Sequence, residues 1–111
     1  MSMYDEMHNV IKKRESFEIN DDFAIEDHRA LMIEIFCEDI DLTNRFLEEE
    51  CTESEYSWLS EIFEDIAEKT HNKKFIENLW KLSEKYPEET KKYNVISFIK
   101  SAEEIVSENK M

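Results

Sequence analysis

TESEYSWLSEIFEDIAEKT, residues 52–70, opens on a hydroxyl and a carboxylate three positions apart and runs on with apolar residues at helical spacing. Thr52 and Glu55 have the capping-box arrangement: each side-chain oxygen accepts from the other residue's backbone amide, satisfying donors that a helix start leaves free. Trp58, Leu59, Ile62, Phe63 and Ile66 follow at offsets of three and four, one stripe of a 3.6-residue helix. The stretch predicts a long amphipathic helix with its apolar side turned to a core.

The neighbouring segments read the same way. Asn72 begins a run with Phe75, Ile76, Leu79, Trp80 and Leu82 apolar, which Tyr86-Pro87 must interrupt, because the residue before proline avoids helical torsions while proline suits a first turn. PEETKK then makes a short helix, and Asn94 caps a last one presenting Val95, Ile96, Phe98, Ile99, Ala102, Ile105 and Val106. Towards the N-terminus, Asp27 caps a helix carrying Leu31, Met32, Ile35 and Phe36 that ends near Glu38. A shorter one after Asp41 carries Leu42, Phe46 and Leu47 and finishes in Glu48, Glu49 and Glu50. Tyr4, Met7, Val10 and Ile11 define a first helix over 4–14 with Ser2 as its cap; Phe17 and Ile19 belong to an ordered linker.

Composition agrees with this pattern. The 111 residues contain no glycine and one proline, and tight hairpins of a strand-rich fold need residues at positive φ. The expected fold is all-α: a compact stack of antiparallel helices, about six or seven including short ones, in one domain over 1–111. A chain of this length buries roughly 65% of its extended surface, enough for one core. The three strongest helices begin near Glu53, Lys73 and Val95, a rhythm of stacked helical hairpins too short for a solenoid. Missing glycine also argues against phosphate-cradling loops, dinucleotide fingerprints and nucleophile elbows. No run has the length of a signal or of a membrane span, so the expected compartment is the cytoplasm, with Cys37 and Cys51 as reduced thiols.

Charge carries the functional reading. The formal net charge is −14, and residues 34–65 hold 12 acids against Arg45 alone, while residues 66–111 hold 8 acids against 9 bases. Like charge piled into one region costs stability through self-repulsion, so an acidic cluster without basic neighbours points to a cationic partner, and the sign opposes nucleic acid and anionic membranes. Glu61, Glu64, Asp65 and Glu68 recur opposite the apolar stripe of the 52–70 helix and predict an outward acidic face, which Glu48, Glu49, Glu50, Glu53 and Glu55 extend. Tyr56 amid these groups is either an interface anchor or a core residue. Arg45 contacts an acidic spot on the partner or pairs internally.

Other chemistry is less well supported by spacing. Glu68 and His71 give one ExxH, where a di-iron bundle needs two together with two further glutamates. Asp39, Asp41, Thr43, the Arg45 carbonyl and Glu50 fall on EF-hand loop positions, but Asn44 stands where glycine is usual and no second loop is present. No Ser-His-Asp or Cys-His arrangement is indicated, and Trp58, Phe63, Trp80 and Phe98 read as core. His28, beside Asp27, reads as a partly exposed first-turn residue. The expectation is a binding protein without catalytic residues, metal or cofactor, monomeric when free.

From WLSEIFEDIAEKT at 58–70 through KYPEETKKYNVISFIKSAEEIV at 85–106, about half of the chain resembles the small, acidic, all-helical immunity proteins of polymorphic bacterial toxin systems, particularly contact-dependent growth inhibition. The resemblance implies a protein that binds the toxic C-terminal domain of a secreted effector, often an RNase or DNase, and blocks its active site in the cytoplasm. It carries over no site residues. An EF-hand-like calcium-binding module around residues 39–50 and an acidic helical adaptor are the alternatives.

Overall fold

The computed structural model describes residues 4–16 and 22–108. Among them are eight α-helices and one 3-10 turn: α1 (Asp5–Glu15), α2 (Asp22–Glu38), α3 (Ile40–Glu49), α4 (Glu53–Leu59), the turn Ser60–Ile62, α5 (Phe63–Thr70), α6 (Lys73–Lys85), α7 (Pro87–Lys92) and α8 (Val95–Glu108). With α4, the turn and α5 taken as one bent segment, the all-α stack has seven helical parts. Ser2 and the 17–21 linker lie outside the described residues.

Several elements begin where their local chemistry directs. Thr52 Oγ1 accepts from the Glu55 amide at 3.2 Å and Glu55 Oε1 accepts from the Thr52 amide at 3.0 Å, so both halves of the capping box are made. Asp39 and Asn72 cap α3 and α6 through side-chain oxygens that accept from Leu42 and Phe75. Pro87 occupies the first turn of α7, and Tyr86 before it leaves helical torsion at ψ 64°. Two helix exits need a left-handed residue; without glycine, they use His71 at φ 47° and Asn94 at φ 51°. Asn94 joins α8 through its backbone, its carbonyl accepting from the Ser97 amide.

Three boundaries differ from the sequence expectation, the smallest being α3, which starts at Ile40 under an Asp39 cap instead of after Asp41. The segment 53–70 is not one continuous α-helix. It tightens at Ser60–Ile62, where Ser57 and Ser60 donate their hydroxyls to the carbonyls of Ser54 and Ser57. Such back-bonding competes with the regular ladder and bends helices. Helix α2 starts at Asp22 rather than after Asp27, and its inward stripe is His28, Met32 and Phe36, one step every four residues. His28 is therefore buried, with Nε2 2.6 Å from the Val10 carbonyl oxygen, while Leu31 is exposed.

The buried apolar residues form one cluster, with α5 packed between α2 and α8 and α6 between α3 and α8. Phe46 of α3 lies at one end, its ring 5.7 Å from Phe36, 6.0 Å from Tyr4 and 5.0 Å from the His8 imidazole. At the other end Tyr56 stacks towards Phe63 and Tyr86, and Phe63 meets Phe75 edge-on. A radius of gyration of 13.4 Å matches a closed globule of this length and not an extended repeat array. No helix among the described residues is long and apolar enough to cross a membrane.

Candidate functional site: an acidic, aromatic groove

Folding redistributes the ten residues that define the expected acidic face. Tyr56 is wholly buried, its hydroxyl 2.7 Å from Thr90 Oγ1, so it joins α4 to α7 and is not an exposed anchor. Glu55 is also buried, held by the capping box and by His8 Nδ1 at 2.5 Å. Glu61 is gripped by both ends of the Arg14 fork at 2.8 and 3.1 Å, and Asp65 stands 4.0 Å from Arg29. Glu48 pairs with Lys74 at 3.5 Å, Glu49 accepts from the Tyr4 hydroxyl at 2.9 Å, and Glu50 lies 3.3 Å from His8 Nε2. Glu53, Glu64 and Glu68 are exposed, and no ion pair among the described residues engages them.

The expected acid wall without basic neighbours is thus corrected. Arg14 and Arg29 come from the first third of the sequence and Lys74 from the last, and in space they neutralise part of the middle third. Arg45 is exposed on α3. The exposed carboxylates of this set that no ion pair among the described residues engages lie on the first turn of α4 and, four residues apart, on the solvent side of α5.

A groove of about 460 Å³ opens between α4, the 3-10 turn, α7 and the start of α8. Its lining is Glu53, Ser54, Ser57, Trp58, Ser60, Glu61, Glu89, Tyr93 and Phe98. The bend at Ser60 and the short α7 that follows Pro87 position its opposite walls. Tyr93 and Phe98 are exposed and Trp58 is half-buried; of the four aromatics expected in the core, only Phe63 is fully enclosed. Trp80 is half-buried as well, with its indole N–H donating to Glu103. Sequence reasoning missed Glu89, Tyr93 and Phe98 as site residues. Phe98 carries a signal all the same, since α8 needs Val95, Ile99, Ala102 and Val106 for its buried stripe and Phe98 falls beside it.

The groove is rich in acceptors. Ser54 donates its hydroxyl to Glu15, Ser57 to the Ser54 carbonyl and Ser60 to the Ser57 carbonyl, so all three hydroxyl protons are already used. Glu53, Glu61 and Glu89 add carboxylates, and among the described residues no lysine or arginine lines the space. Two of its rings already carry a cation over one face: the Arg14 guanidinium carbon lies 4.7 Å from the Trp58 ring centre and the Lys92 ammonium 5.2 Å from that of Tyr93. A second acid-rimmed depression, formed by Glu6, Glu38 and Asp39 over Met7, Ile35 and Leu42, has no aromatic wall.

The other candidate chemistries do not assemble. Residues 40–49 form a regular helix, Asp39 is its cap, and the Thr43 hydroxyl donates to the Phe36 carbonyl at 2.6 Å, so the EF-hand positions do not surround one point. His71 is an exposed helix exit after Glu68, and among the described residues no group of three or more His, Cys, Asp or Glu could hold a metal ion. Burial pushes the Cys51 thiol far above its ordinary pKa and raises the half-buried Cys37 as well, so neither is an activated nucleophile. No protein-family model, curated protein or solved structure matches the chain.

Proposed function

We propose that this protein is an immunity-type inhibitor that binds the toxic domain of a cognate bacterial effector, a basic nuclease, and covers its active site in the cytoplasm. The supporting observation is that negative charge survives folding as exposed carboxylates that no ion pair among the described residues engages, Glu53 on the wall of the groove and Glu64 and Glu68 on α5. A nuclease cleft is cationic because it is built for phosphate, and carboxylates can occupy it in place of substrate. The role requires no turnover and no cofactor. The net charge of −14 disfavours direct binding to nucleic acid or anionic lipid.

The test is capture of a toxin fragment encoded beside this gene, followed by nuclease assays at equal stoichiometry. Glu53→Lys/Glu64→Lys/Glu68→Lys should slow association about tenfold at low salt, with the difference closing at high salt and helicity unchanged. These three positions are better probes than Glu61 or Asp65, which already face Arg14 and Arg29 within the protein. Association of the triple variant at the wild-type rate, or a toxin fragment left fully active, would refute the proposal.

A further inference from the structure

We infer that the groove between α4 and α7–α8 is a receptor for an arginine side chain projected by the partner protein, an inference that rests on the inhibitor reading and specifies its contact. Four features support it together. The walls are aromatic, from Trp58, Tyr93 and Phe98, and a planar guanidinium stacks on such faces. Glu53 and Glu89 stand at the walls, and no ion pair among the described residues engages either. The three lining serines have spent their hydroxyl protons internally and can only accept further hydrogen bonds, which suits a group with five donors and no acceptor. The volume of about 460 Å³ is that of a small ligand site, larger than one side chain requires and too small for a folded element.

The protein itself displays the chemistry next door. Arg14 lies over Trp58 while its fork is held by Glu61, a guanidinium between a ring and a carboxylate. The inferred contact repeats that combination with an arginine supplied from outside, placed between the remaining aromatic surface and Glu53 and Glu89. Arginine is favoured over lysine because a compact, strongly hydrated ammonium neither stacks as a plane nor bridges two carboxylates as a fork.

The full-length chain can be titrated with an arginine hexapeptide and, separately, with a lysine hexapeptide at low salt, following the Trp58 indole and Tyr93 ring signals by NMR. The arginine peptide should shift both signals saturably and bind several-fold more tightly than the lysine peptide. Glu53→Gln/Glu89→Gln should weaken it about tenfold, and Glu34→Gln/Glu84→Gln, at exposed acids of α2 and α6 outside the groove lining, should leave it within about twofold. Equal binding of the two peptides, an equal loss in both double variants, or unshifted groove signals would overturn the assignment. The toxin fragment separates the two levels of the argument. If it is captured and inhibited equally well by Glu53→Gln/Glu89→Gln, the groove is wrong and the inhibitor role stands. Arginine-peptide binding at the groove by a chain that inhibits no toxin leaves the groove in place and removes the role.

Discussion

At the scale of single residues, buried polar groups join elements more than they serve a ligand. His8 sits between Glu55 and Glu50 and ties α1 to the start of α4. Burial by itself lowers its pKa, but the hydrogen bonds to the two carboxylates outweigh this and hold it above the ordinary 6.5. A raised pKa in the folded state means that the charged imidazole contributes stability in full below the ordinary value, and that this contribution is lost as pH rises through the folded value. Unfolding measured from about pH 6 to 9 should therefore show stability falling for the wild type and a flatter profile for His8→Gln. Parallel profiles would mean that folding does not shift the His8 pKa and that the contacts to Glu55 and Glu50 do not favour its charged form. Tyr56→Phe should cost about 1 kcal/mol in chemical denaturation by leaving Thr90 Oγ1 without this partner, a loss that an interface residue would not show. Thr52→Ala should likewise cost about 1 kcal/mol by removing half of the capping box.

At the scale of elements, caps and breakers were legible and inward faces less so. The starts at Glu53, Lys73 and Val95 follow from Thr52, Asn72 and the turn after α7, which are local instructions. Two neighbouring apolar stripes compete on α2, and the choice of His28–Met32–Phe36 over one containing Leu31 depends on the carbonyl that Val10 of α1 offers to His28. The bend at Ser60 was hidden because serine is unremarkable on a helix until its hydroxyl turns back to the preceding carbonyl. The exits at His71 and Asn94 store strain that other chains relieve with glycine. His71→Gly should stabilise the protein by about 0.5–1 kcal/mol in thermal unfolding, whereas a glycine in the middle of α5 would destabilise it by a similar amount.

At the scale of the whole molecule, what matters is which carboxylates keep their charge exposed. The segment count along the chain located the acid excess correctly but not its neighbours, because Arg14, Arg29 and Lys74 reach it only through folding. Arg14 and Glu61 are 47 residues apart in sequence and both largely enclosed, so their pairing is structural. A double-mutant cycle on Arg14→Ala and Glu61→Ala should give a coupling of about 1 kcal/mol, more than a fully exposed pair yields. Near-zero coupling in denaturation would show that Glu61 is as available to a partner as Glu53.

Helicity, the starts of α4, α6, α7 and α8 and the sign of the field can be read along the chain, because period, capping and net charge are local or additive properties. It is packing that puts Tyr56 and Glu55 inside, neutralises part of the acidic face from distant segments, and brings Trp58, Tyr93 and Phe98 into one groove with Glu53 and Glu89. Burial, pairing and concavity depend on which faces meet, and that is fixed by the packing of α1, α7 and α8 around the 53–70 segment.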